Sequence, residues 1–265
     1  GLKLANSFAR KHLIIPAGIC ATFVVCLTPI AIYGAQQWLG LWPDDNTVFR
    51  QFHHRIKWLW LYMELGTLVT GLVVAWRYKY PFLIMPIAVT LWYISMDAVM
   101  LIIDHEDLWN SYTWQFRALV SMYFGALMTL LAFWVDIRAR NTADYAFWLY
   151  LFGVLAFWGG LTSQDSDSEL SKFIYFCINL AMIGAGALLV RRVFVIFGAL
   201  GCCLYLGHLA STVFEDSWLF PVALSAIGLG VVYSGIWWQK NEARITKSAQ
   251  AILPKALQEL LANKA

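Results

Sequence analysis

Eight stretches of this chain, at 13–34, 56–76, 81–103, 113–135, 145–161, 173–190, 193–213 and 218–238, are apolar along nearly their whole length. A helix needs roughly 20 such residues to cross a bilayer. Lipid offers no partner to a loose N–H or carbonyl, so a run of this kind closes its own hydrogen bonds as a helix. The sequence therefore predicts an all-α fold, a polytopic integral membrane protein with eight transmembrane helices over 1–238 and a cytoplasmic amphipathic tail over 239–265. Composition agrees: 60% of the 265 residues are apolar and 13% are Asp, Glu, Lys or Arg, against about 25% charged in soluble domains. Too little polar side chain remains to coat a water-facing surface. Disorder, a nucleic-acid module and an ordinary soluble enzyme are excluded, and the lipid bilayer is the expected surrounding.

Punctuation falls at the span ends. Pro81 and Pro221 stand at helix starts, Asp216 and Ser217 offer a cap, and Asn141, Thr142 and Asp144 open span five, as helix-start chemistry requires. The first apolar run, at about 22 residues, is longer than the 7–15 of a signal peptide and no small-x-small cleavage site follows it. It reads as a retained anchor. The absence of an initiator Met suggests that residue 1 is not the native start.

Charge sets the orientation. With the N-terminus inside, 14 of the 19 basic residues fall on the inner side, including Lys3, Arg10, Lys11, Arg77, Lys79, Arg138, Arg191 and Arg192. Ten of the 16 acids fall outside, among them Asp44, Asp45, Asp104, Glu106, Asp107, Asp165, Asp167 and Glu169. The excess of Lys and Arg selects both termini as cytoplasmic. Of the 14 Trp, 13 lie near span ends and Trp92 alone sits in mid-span. Interfacial anchoring, where an indole has an apolar body and a wet N–H, explains this better than a ligand cage.

Small residues mark where helices approach closely. Ala226, Gly230 and Ser234 recur every four positions on span eight, and span seven carries Gly198, Gly201 and Gly207. These two spans are expected to pack on each other or on a partner membrane subunit. Beyond span eight, Ile245, Ala249, Leu253, Leu257 and Leu260 recur at three- and four-residue steps around Pro254. That period predicts an amphipathic helix on the membrane surface, with a partner-binding helix as the rival.

Ionisable residues inside a span are costly and point to function. Counting 1.5 Å per residue, Glu64 lies about 12 Å below the outer end of span two, Asp97 about 9 Å below that of span three, and Asn179 at a similar depth in span six. Arg117 and His208 come out at roughly 6–8 Å on spans four and seven. Five polar residues from five helices are thus expected to share one level in the outer half of the membrane, with none in the inner half. They can satisfy one another, Arg117 neutralising Asp97 or Glu64 and His208 serving the remaining carboxylate, and so lock the bundle. Alternatively they line a vestibule open to the outside that binds a cation, a proton or a small polar ligand, with acidic loops concentrating cations at its mouth.

Other chemistry finds less support. The loop Asp104-His105-Glu106-Asp107 with His53 and His54 reads as solvated surface rather than a metal site, and Asp165, Asp167 and Glu169 lack the glycine and last ligand of a calcium loop. Only His208 lies well inside a span, so no pair of His is available for a haem, and no cofactor is expected. All five Cys lie in apolar runs without a CxxC pair and read as small buried hydrophobes. There is no HExxH, GxSxG or Walker loop. Ser211 follows His208 by three residues, a weak pattern for a nucleophile, so no catalytic residue is assigned.

Arg191-Arg192-Val193-Phe194, Phe197 to Gly201, Tyr205 to Ala210, Phe214 to Ser217 and Phe220-Pro221, with Leu253-Pro254 in the tail, form a pattern with a known counterpart. It resembles the C-terminal part of bacterial polytopic membrane proteins classed as a domain of unknown function. The resemblance covers roughly 191–258 and implies a bacterial inner-membrane setting; it carries no activity. The preferred functional reading is a transport-type or ligand-sensing protein whose outward-facing pocket is lined by Glu64, Asp97, Arg117, Asn179 and His208. The alternative is a non-catalytic subunit or scaffold of a larger membrane assembly.

Overall fold

The protein is described by a computed structural model that covers residues 2–11, 13–42, 49–102, 111–138, 144–164, 168–214 and 220–251. The described residues are helical with no strand. Their helices are α1 (Leu2–Arg10), α2 (Ile14–Trp38), α3 (Phe49–Tyr78), α4 (Ile84–Ile102), α5 (Ser111–Arg138), α6 (Ala146–Thr162), α7 (Glu169–Leu189), α8 (Arg192–Phe214) and α9 (Phe220–Ala251). They fall into two compact units, Gly1–Ser163 and Gln164–Ala265.

Six stretches are long and apolar enough to cross a membrane: Ile15–Trp38, Trp58–Tyr78, Pro81–Ala98, Trp114–Arg138, Glu169–Leu189 and Arg192–Thr212. The all-α membrane class expected from sequence therefore stands. The count supported by the described residues is six, not eight. The fifth predicted span became α6, whose 17 residues extend about 25 Å, less than the roughly 30 Å hydrocarbon layer. The eighth became the front of α9, a single helix that runs from the apolar 220–238 straight into Gln239, Lys240, Asn241 and Glu242. Predicted tail residues after Ala251 lie outside the described residues, as do the acidic loop residues except Glu169.

In the first unit, α1 folds back on α2 through a turn in which Leu13 N–H donates to the Phe8 carbonyl at 3.0 Å. Its fully buried Ala5 packs with Ala21 and Val25 of α2, Val74 of α3 and Leu83. Asn6 accepts a hydrogen bond from the Tyr78 hydroxyl at 2.8 Å, which ties α1 to the end of α3. Pro81 opens a 3₁₀ turn, Pro81–Leu83, that leads into α4. Proline suits such a start because its fixed φ is already helical and its missing N–H would have had no partner.

The closest helix pair is α5 with α6. A Cβ on Gly125 would overlap the backbone nitrogen of Phe157, and one on Gly160 would overlap the Ala118 carbonyl. Gly153 in turn faces Thr129, with its Oγ1 only 2.8 Å from where a Cβ would stand. Close backbone approach of this kind gains dispersion energy where lipid supplies no hydrophobic drive between helices. Ser121 Oγ donates across the seam to the Ala156 carbonyl at 2.9 Å and accepts from Trp92 Nε1 of α4 at 2.9 Å. Trp92 sits in mid-span for this reason: its buried N–H needs a partner and Ser121 provides one. Trp38, Trp58, Trp60, Trp76, Trp114 and Trp134, by contrast, are exposed near helix ends, as interfacial anchors should be. Asp144 accepts from the Phe147 N–H at 3.1 Å and caps α6 as the sequence predicts.

In the second unit, α7 and α8 form a hairpin closed by Val190, which adopts a left-handed φ of 56°. Arg191 N–H donates to the Gly186 carbonyl at 3.0 Å across this turn. Gly186 lets the chain of Val195 approach, and Gly198 faces the Asn179 carbonyl, 2.6 Å from a would-be Cβ.

Two glycines of α5 and α6 separate packing from propensity. Gly125→Ala is expected to destabilise the folded protein by about 1–3 kcal/mol, because the new methyl meets rigid backbone. Gly159 has nothing within 4 Å, so Gly159→Ala is expected to be neutral or to stabilise by up to about 1 kcal/mol through helix propensity. Thermal midpoints of the two variants in nanodiscs, moving in the same direction by the same amount, would contradict this packing.

Candidate functional site

Three of the five predicted residues come together. Glu64 on α3, Asp97 on α4 and Arg117 on α5 meet at one end of the first unit. Arg117 Nη2 lies 3.6 Å from Asp97 Oδ1, and Glu64 is the neighbouring acid, on α3. The helix geometry explains the meeting. Counted from the ends of the apolar spans, Glu64 is six residues past Trp58, Asp97 one before Ala98 and Arg117 three past Trp114, and the alternating direction of the three helices brings these ends together.

The chemistry of the triad follows from charge. Two carboxylates and one guanidinium leave one negative charge unbalanced, which is costly at membrane depth. One proton on the carboxyl pair would make the triad neutral overall. Glu64 is the inner member, 9% exposed, whereas the Asp97 and Arg117 side chains are 31% and 28% exposed. Glu64 Oε2 and Arg117 Nε are buried with no hydrogen-bond partner among the described residues. The cluster thus presents an open acceptor and an open donor behind a partly accessible ion pair.

The other two predicted residues belong to the second unit and do different work. Asn179 is completely buried in the α7–α8 seam. Its Nδ2 donates to the Tyr175 carbonyl at 2.8 Å, and its amide fills the space left by Gly201, where a Cβ would overlap it. Gly198 and Gly201 are therefore small to admit α7, where the sequence suggested the last span or a partner subunit. Gly207 and Gly230 have nothing within 4 Å, Ala226 is exposed, and the Ser234 side chain lies outside the described residues. His208 faces Glu169, with Nε2 3.8 Å from Oε1. Glu169 also accepts from Lys172 Nζ at 2.7 Å.

Ser211 and His208 are not a nucleophile and base. Ser211 Oγ donates to the His208 backbone carbonyl at 2.7 Å, which uses the hydroxyl on the helix itself. Among the described residues no group of three or more His, Cys, Asp or Glu is placed to hold a metal ion. The loop Asp104-His105-Glu106-Asp107 and the side chains of His53 and His54 lie outside the described residues.

Besides four buried hydroxyl residues, sequence reasoning missed a buried amide and a buried acid. Gln36, near the end of α2, is 6% exposed and donates from Nε2 to the Leu59 carbonyl of α3 at 3.1 Å. Asp136, in the last turn of α5, is also buried. The amide pair Gln36-Gln37 closing a long apolar run was a usable signal. Asp136 was not, because the predicted span stopped one residue before it. The chain matches no protein family, no curated protein and no solved structure.

The fit of Asn179 to Gly201 gives a double-mutant test. Gly201→Ala alone is expected to lower stability, and adding Asn179→Ala is expected to recover most of the loss. The coupling should be about 1–3 kcal/mol, the range for residues in direct contact. Additive losses in thermal melts would show that the two residues do not share the space.

Proposed function

We propose that this protein is a multi-pass membrane protein that binds a proton or a small cation at Glu64 and Asp97, for transport or ligand sensing. Arg117 is the fixed counter-charge and sets how much positive charge the two carboxyls can accept. The observation that carries this reading is the incomplete satisfaction of the triad: a purely structural ion cluster would close on itself, whereas Glu64 Oε2 and Arg117 Nε find no protein partner. An incoming cation or proton has a buried oxygen to meet, and Asp97 and Arg117 stand in its path.

In this reading α6 and α9 also span, giving eight helices. The α5–α6 seam holds α6 at membrane depth, and an even number of spans puts the basic N-terminal segment and the Lys240–Arg244 segment on one side, the cytoplasm. The pocket then opens to the outside. The resemblance of 191–258 to bacterial membrane proteins supports an inner-membrane setting. The scaffold reading draws support from α9, where Gly230 has nothing within 4 Å and Ala226, four residues earlier on the same face, is exposed.

Proteoliposomes separate these roles. With protons, Na⁺ and K⁺ as probes, wild-type protein is expected to carry or bind at least one, and Asp97→Asn or Glu64→Gln to reduce it at least tenfold while the thermal midpoint stays near wild type. Unchanged flux and binding in both variants would contradict the proposal. Loss of a co-purifying protein in Gly230→Leu, with those two variants silent, would favour the scaffold.

A further inference from the structure

A groove of about 730 Å³ runs along α2 in the first unit, lined by Leu4, Cys20, Phe23, Leu27, Ala31 and Ala35 among others. Cys20 to Ala35 is 15 residues of one helix, or about 22 Å, which exceeds the roughly 15 Å of a single leaflet's hydrocarbon. Its lining is apolar apart from the Cys20 thiol and Thr28, whose Oγ1 is already bonded to the Val24 carbonyl at 3.0 Å. The groove therefore has no hydrogen bond to offer and suits an alkyl chain.

One end of the groove is distinctive. Leu4 comes from α1, the short helix that packs by Ala5 against Ala21, Val25 and Val74. The Asn6–Tyr78 hydrogen bond holds this hairpin at the level where α3 ends in Arg77 and Tyr78. This is an interfacial position, marked by the exposed Trp76 next to it. Residues 1–43 contain Lys3, Arg10 and Lys11 and no Asp or Glu. All three basic residues are exposed. Apolar lining and cationic mouth thus occur on the same hairpin.

We propose that the groove holds one acyl chain of an anionic phospholipid, with its phosphate held at the α1 end by Lys3, Arg10 and Lys11. The apolar groove fixes the position of the chain and adds little net affinity within a bilayer, because a free lipid is already in hydrocarbon. Selectivity between lipids then rests on the charge of α1, which favours anionic headgroups. This inference is independent of the Glu64–Asp97–Arg117 cluster.

The test is lipid retention. Protein is reconstituted in nanodiscs of mixed phosphatidylglycerol and phosphatidylcholine, extracted in detergent, and its retained phospholipid measured by native mass spectrometry. Wild type is expected to keep about one phosphatidylglycerol per chain, at least fivefold enriched over phosphatidylcholine. Ala31→Phe and Leu27→Trp, which fill the groove from two positions, should each lower retention at least tenfold. The triple variant Lys3→Gln, Arg10→Gln, Lys11→Gln should keep a lipid but lose the preference. Its three substitutions lie at exposed positions and leave the packing intact, so it stands as the control if either filled variant fails to fold. Equal retention of the two lipids by wild type, or a preference that survives in the triple variant, would overturn the proposal.

Discussion

A hydrocarbon layer gives polar groups nothing to bond to, and the architecture follows from that constraint. Backbone groups are met inside helices, so the described residues are helical without a strand. Side-chain polar groups must be met across helices or by their own helix. Thr28, Thr67, Thr90 and Ser225 turn back to the carbonyl four residues earlier. Ser121 and Trp92 reach across to neighbours instead, and so tie α4, α5 and α6 together. Packing follows the same logic, because without a hydrophobic drive between helices the tightest seams are those where glycine lets backbones touch.

The triad of Glu64, Asp97 and Arg117 brings charge together from three helices at membrane depth in the first unit. Its cost is lowered by the pairing of Arg117 with Asp97. It leaves a buried oxygen and a buried nitrogen open among the described residues. In the second unit the polar groups are used differently. Asn179 fills the gap over Gly201, and His208 pairs with an exposed carboxylate at the start of α7. One polar level read from sequence thus resolves into a charged cluster in one unit and packing and surface contacts in the other.

Much of this was legible in the chain because the membrane imposes a one-dimensional rule. Depth along a helix is nearly proportional to residue number, so Glu64, Asp97 and Arg117 could be placed on one level by counting alone. Counting gives depth and not azimuth, so it did not reveal that Asn179 fills the gap over Gly201 or that His208 meets Glu169. Span number was less legible: α6 is marginal in length, and α9 passes from apolar to polar with no break in the helix. The glycines illustrate a second limit. Gly198 and Gly201 were correctly read as close-approach sites, but the partner was α7, because smoothness of a face does not name what lies against it. The tightest seam, α5 with α6, escaped notice since Gly125, Gly153 and Gly160 lie on two spans at unequal spacing.

The central claim is that one of Glu64 and Asp97 carries a proton beside Arg117 within the membrane, because two bare carboxylates there would outnumber the guanidinium. Infrared difference spectroscopy of the protein in lipid, across a pH step, reads it directly through the carboxylic-acid C=O band. The band should be present in wild type, vanish in Glu64→Gln, shift in Asp97→Asn, and be unaffected by a distant change such as Gly159→Ala. A band that neither acid variant alters, or no such band at all, would contradict the account.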